Sequence, residues 1–160
     1  MRAFIFTIST LFASIAYASF YTEGELIVPM TLQDQFENKV TITSVTQVLL
    51  FSRNMKGGDI IKEALEKLQA TNQESLDNLV YVADISGMPS LIARFVAIPQ
   101  MKDLPFSMGL DREGDVTKAL PSEADKATLI RLDKLKIVDI VTFDTSEALL
   151  KALELTTIGS

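Results

Sequence analysis

The chain has 160 residues, with 15 basic against 21 acidic side chains, a formal charge of -6, and neither cysteine nor histidine. Those two absences exclude thiol redox and peroxidase chemistry, nucleophiles activated by a histidine, and the usual zinc and haem ligand sets. The acidic balance argues against a general nucleic-acid binder, which needs a basic footprint, and no polybasic tract points to a membrane surface.

Met1 and Arg2 give a short positive start, Ala3 to Ile15 is apolar, and Ala16-Tyr17-Ala18 has the form of a cleavage site ahead of Ser19. Residues 1–18 are therefore expected to be a secretory signal peptide, and residues 19–160 a single domain in the periplasm or outside the cell. The apolar run is shorter than the roughly 20 residues that span a bilayer, so no membrane span is expected after cleavage.

Glu25 to Leu32 reads as an extended segment interrupted at Pro29, and Glu37 to Lys39 as a hairpin-like turn leading to a short strand. Gln47 to Phe51 is an apolar run, the pattern of a strand covered on both faces, and belongs near the centre of a sheet. Arg53, Asn54, Lys56, Gly57 and Gly58 then make a polar joint. Beyond it Ile60, Ile61, Ala64, Leu65 and Leu68 recur at helical spacing, opposite Lys62, Glu63, Glu66 and Lys67. Asn78 to Ile85 is a second buried strand. Ser86-Gly87-Met88-Pro89 can start a helix whose buried stripe would be Leu91, Ile92, Phe95 and Val96.

Leu104 to Leu110 reads as another strand and "DREGDVTKAL" as a turn entering a short helix. Thr128 to Leu132 and Lys136 to Phe143 form a hairpin. Asp144 to Glu147 has capping-box spacing ahead of a last helix striped by Ala148, Leu149, Ala152 and Leu153. Strands alternating with helices require right-handed parallel crossovers, and the terminal hairpin adds antiparallel strands to the same sheet. The expected architecture is a three-layer α/β/α domain around a central mixed sheet, closed by a C-terminal β-hairpin and helix.

"MTLQDQFENKVTIT", "VLLFSRNMKGG", "LDREGDV" and "LIRLDKLKIVDIV" together resemble the thioredoxin-like superfamily, in its peroxiredoxin and thiol-disulfide-reductase branch. The resemblance covers about Glu25 to Leu155. It implies a thioredoxin-like fold and places Lys56 and Asp59 at the two cysteine positions of the catalytic turn, with Ala127 where the family keeps a cis-proline. Neither Lys56 nor Asp59 can exchange disulfides. In this the chain is similar to small exported, cysteine-less members of the superfamily such as the YtfJ type.

The thioredoxin-like arrangement brings the loops at Arg53 to Gly58, Asp84 to Met88 and Lys126 to Ala127 to one sheet edge, where ligands of open α/β sheets bind. Arg53, Asn54, Lys56, Gly57, Gly58, Asp84 and Ser86 are the candidate ligand-binding residues. Free N–H groups after the glycines, with Arg53 and Lys56, would suit a small anion. The same residues also read structurally, as a glycine turn, an Arg53–Asp84 pair and a Ser86 helix cap. Met55 and Met88 fall in the converging loops and raise the idea of Cu(I), although methionine more often fills cores. The resulting expectation is an exported, non-catalytic interaction protein with a protein partner or a small anionic ligand and no cofactor. The alternative is an enzyme working through Arg53, Lys56 and Asp84, with Lys56 desolvated.

Overall fold

Val48 to Ser52 are buried along their whole length, and this strand sits inside the sheet as its apolar run requires. In the computed structural model, which describes residues 20–71 and 78–158, the sheet has seven strands. The signal-peptide assignment lies outside the described residues. The elements are β1 (Met30–Gln33), β2 (Lys39–Ile42), β3 (Val48–Ser52), α1 (Met55–Thr71), β4 (Leu79–Asp84), α2 (Ser90–Ile92), a π-helical turn (Ala93–Ala97), α3 (Ile98–Met101), β5 (Gly109–Asp111), β6 (Ala127–Asp133), β7 (Lys136–Phe143) and α4 (Ser146–Ile158). Strand order is β2-β1-β5-β4-β3-β6-β7. The pairs β3/β4 and β4/β5 are parallel, and the remaining pairs are antiparallel.

Side chains alternate between the two faces, as a strand period of two dictates. Leu50, Tyr81, Ala83 and Leu129 join one apolar cluster with Ile60, Ile61, Ala64, Leu65 and Leu68 of α1 and Leu149 and Leu153 of α4. The α1 stripe is therefore where its spacing predicts. Burial of each such Leu or Ile is worth about 1.5–3 kcal/mol. Lys67 bridges to Glu63 one turn back and to Glu147, tying α1 to α4.

Leu49, Phe51, Val82 and Ile130 face the other way, beneath Ile27 of the N-terminal segment and Leu120 of the β5–β6 loop. Here the structure corrects the sequence reading, because no helix follows Asp111. The Asp111 carboxylate accepts the N–H groups of Gly114 and Thr117 and the Thr117 hydroxyl, at 2.8–2.9 Å. Gly114 lies at φ +77. A carboxylate that takes local N–H groups offers the backbone an alternative to a helix, and a left-handed residue cannot continue one.

Three smaller corrections concern element ends. The strand expected at Leu104 to Leu110 is only Gly109–Asp111, because Gln35 holds the preceding loop. Its amide donates to the carbonyls of Met101 and Phe106 and accepts the Met108 N–H. The last helix is capped by Thr145, whose hydroxyl accepts the Ala148 N–H, rather than by Asp144. Pro89, not Ser86, occupies the cap position of α2.

Candidate functional site

The joint after β3 is tighter than a ligand loop. Helix α1 starts at Met55, so Gly57 and Gly58 belong to its first turn and do not precede it. Asn54 is the cap: its side-chain oxygen accepts the Gly57 N–H at 2.8 Å, and its carbonyl accepts the Gly58 N–H at 3.0 Å. Two N–H groups that could have met an anion are thus already bonded. Gly57 is required by packing, since a Cβ there would stand 2.3 Å from the Lys126 carbonyl oxygen. That contact presses the start of α1 against the residue before β6, the expected convergence of the first and third loops.

Arg53 is held by several partners although part of it meets solvent. Its Nε lies 3.2 Å from Asp84 Oδ2, a pairing of charges without the alignment of a hydrogen bond. Its Nη2 donates to the carbonyls of Thr117 and Leu120, at 2.7 and 3.4 Å. The guanidinium lies 5.6 Å from the Phe20 ring centre and 5.2 Å from that of Phe51, within cation–π range. Arg53 therefore ties together the ends of β3 and β4, the β5–β6 loop and the N-terminal segment. The other Asp84 oxygen accepts the Ser86 N–H and hydroxyl, at 3.0 and 2.7 Å, closing a local turn.

Beneath the joint, the Tyr81 hydroxyl is 2.9 Å from Ser52 Oγ. Burial pushes the Tyr81 phenol up to about 12, against the opposing effect of the Ser52 hydrogen bond. Lys56, by contrast, is exposed, as are Ser86 and Gly87, and Met88 is half-buried. Met55 is 74% exposed. Of the candidate residues, the structure brings Arg53, Asp84 and Ser86 into one bonded group, sets Asn54, Gly57 and Gly58 in the helix start, and leaves Lys56 in water.

The largest departure lies next to that group. Leu91, Ile92, Phe95 and Val96, expected as a buried stripe, are 70%, 49%, 67% and 48% exposed. The inward contacts of this stretch come instead from Ala93, Ile98 and Met101. A signal for this exists in "SLIARFVAIPQM": it is apolar around the whole helix, more than one sheet contact can cover. Phe20 and the carbonyls of Thr117 and Leu120, which hold Arg53, carry no such signal, because neither the N-terminal segment nor the β5–β6 loop that brings them close has a periodic pattern.

No protein-family model and no curated protein sequence matches the chain. Solved structures do match. The thioredoxin domain of a thiol-disulfide oxidoreductase from Bacteroides vulgatus aligns over 86% of this chain and 99% of its own, with TM-score 0.58 and 13% identity. Peroxidoxin BcpB from Mycobacterium tuberculosis aligns over 85% and 96%, with TM-score 0.57 and 12% identity. A hypothetical protein from Sinorhizobium meliloti aligns over 88% and 86%, with TM-score 0.57 and 19% identity. At these identities the likeness defines the fold. The chain has the thioredoxin-like fold of peroxiredoxin and thiol-disulfide oxidoreductase proteins, built without a cysteine. No helix of the described residues is long and apolar enough to cross a membrane.

Proposed function

We propose that this is an exported, redox-inactive thioredoxin-like protein that docks an apolar segment of a partner polypeptide at the sheet edge where relatives of this fold carry their cysteines. The exposed row Leu91, Ile92, Phe95 and Val96 carries this reading, because contiguous outward apolar side chains mark interaction surfaces. Met55, Lys56 and the Ser86–Met88 turn begin at the carboxyl ends of the neighbouring parallel strands β3 and β4 and would border the docked segment. Arg53, Asn54, Gly57, Gly58 and Asp84 form the frame beneath it. The alternative of an enzyme or an anion-binding protein built on Arg53, Lys56 and Asp84 has less behind it. Arg53 and Asp84 are partnered within the fold, and Lys56 is not desolvated.

Thermal unfolding of residues 19–160 against short apolar peptides and, separately, small anionic metabolites tests the choice. A bound ligand at 100 times its dissociation constant adds about 2.7 kcal/mol of stability. The proposal expects a shift with apolar peptides that Leu91→Glu or Phe95→Glu abolishes. A shift with anions alone, abolished by Lys56→Ala, would replace it with the anion-binding reading.

A further inference from the structure

We propose that the segment docked on Leu91, Ile92, Phe95 and Val96 is acidic as well as apolar: a stretch of a partner polypeptide whose aspartate or glutamate side chains meet Arg94 and Lys102 at the border of the row. The inference rests on reading that row as the docking surface and adds the chemistry of the partner.

The row has a direction. Leu91 with Phe95 and Ile92 with Val96 are each four residues apart, so the outward side chains follow one another along a helical stretch, Ser90 to Met101, roughly 18 Å long. The middle of that stretch, Ala93–Ala97, is a π-helical turn, a rare form found frequently at functional sites.

Charge decides what can lie along the row. From Ser86 to Lys102 the sequence holds two cations, Arg94 and Lys102, and no acid, whereas the whole chain has a formal charge of -6. Both cations are exposed, and among the described residues neither makes an ion pair. Arg94 is set beside the row by its own contact, its guanidinium lying 5.5 Å from the Phe95 ring centre. A guanidinium over a ring keeps N–H donors for a carboxylate, and the low dielectric beneath a docked apolar segment strengthens that pairing. Arg53, by contrast, already has its carboxylate within the fold, at Asp84.

The same charges disfavour other occupants. A second copy meeting this face by two-fold symmetry would bring the same patch against itself, setting cations near cations. An anionic bilayer would attract Arg94 and Lys102 but repel the acidic body as a whole. A docked segment meets only the row and its border.

Binding of the full chain to two pools of labelled short peptides tests the inference. The pools share leucine and phenylalanine at helical spacing and differ only in carrying glutamate or lysine at the remaining positions. Fluorescence anisotropy should show the glutamate pool bound at least about fivefold more tightly at low salt, with the preference reduced at high salt and lost in the double variant Arg94→Gln, Lys102→Gln. Both substitutions are at exposed positions and should leave the fold intact. Equal binding, a preference for lysine, or a preference that survives the double variant would overturn the inference. If both pools bind alike and Phe95→Glu releases both, the docking surface stands and the acidic partner falls. If neither pool binds, both readings fall. Binding to phosphatidylglycerol vesicles alone would assign the face to lipid, and self-association lost in Phe95→Glu would assign it to a second copy; either result overturns the inference.

Discussion

At the joint after β3, the polar groups that face the edge are mostly bonded within the fold, whereas the stretch after β4 turns Leu91 and Phe95 outward at 70% and 67% exposure. The two regions leave the same end of two neighbouring parallel strands. Their residue types would assign chemistry to the first and burial to the second. Partners decide otherwise: a cationic fork that meets a carboxylate, two carbonyls and two rings acts as a brace, while an apolar side chain left mostly in solvent is a surface.

The sharpest way to break this contrast is Gly57→Ala. Its new Cβ would meet the backbone oxygen of Lys126 at 2.3 Å, and the clash cannot be relieved by turning a side chain. Urea unfolding should show a loss of about 3 kcal/mol, and an unchanged midpoint would mean that the joint is looser than described.

Arg53→Ala comes next. Because its side chain is 30% exposed, the expected loss is about 2 kcal/mol, below that of a fully buried pair. Arg53→Lys should recover little, since an ammonium cannot span the Asp84 carboxylate and both carbonyls. A neutral Arg53→Ala would free this residue for a ligand-binding role.

Tyr81 gives a smaller effect with a defined pH window. The fold holds the neutral phenol, whose pKa is raised from 10.0 to about 12, so its contribution is intact below pH 10 and is lost as pH rises towards 12. Tyr81→Phe should cost about 1 kcal/mol at neutral pH and flatten that alkaline decline. A decline that persists in the variant would place its cause elsewhere.

Gly58→Ala refines the comparison at the adjacent glycine. A Cβ there meets Tyr81 Oη at 3.5 Å, an ordinary contact, and the site is helical. The variant should gain about 0.5 kcal/mol, opposite in sign to Gly57→Ala. If both glycines respond alike, the approach of Lys126 is not what distinguishes them.

The sequence carries the scaffold well where one periodicity dominates. The all-buried β3, the α1 stripe from Ile60 to Leu68 and the β6–β7 hairpin all lie where their patterns place them. It carries the site less well. The Arg53–Asp84 pair is readable as an alternative, but Thr117 and Leu120 reach Arg53 through a loop shaped by the Asp111 carboxylate, which no local pattern marks as non-helical, and Phe20 reaches it from the N-terminal segment. The stretch from Leu91 to Met101 misleads for the opposite reason. Apolar residues lie all around it, so periodicity cannot say which side faces the sheet, and small Ala93 with Ile98 and Met101 supply the inward contacts.

The central claim is that the row through Phe95 is a surface and not part of the core. Urea unfolding of Phe95→Glu tests it most directly. The account predicts a stability within about 0.5 kcal/mol of the parent chain, as for an exposed substitution. A loss of about 3 kcal/mol or more, the cost of removing a buried phenylalanine, would contradict it and return that row to the core.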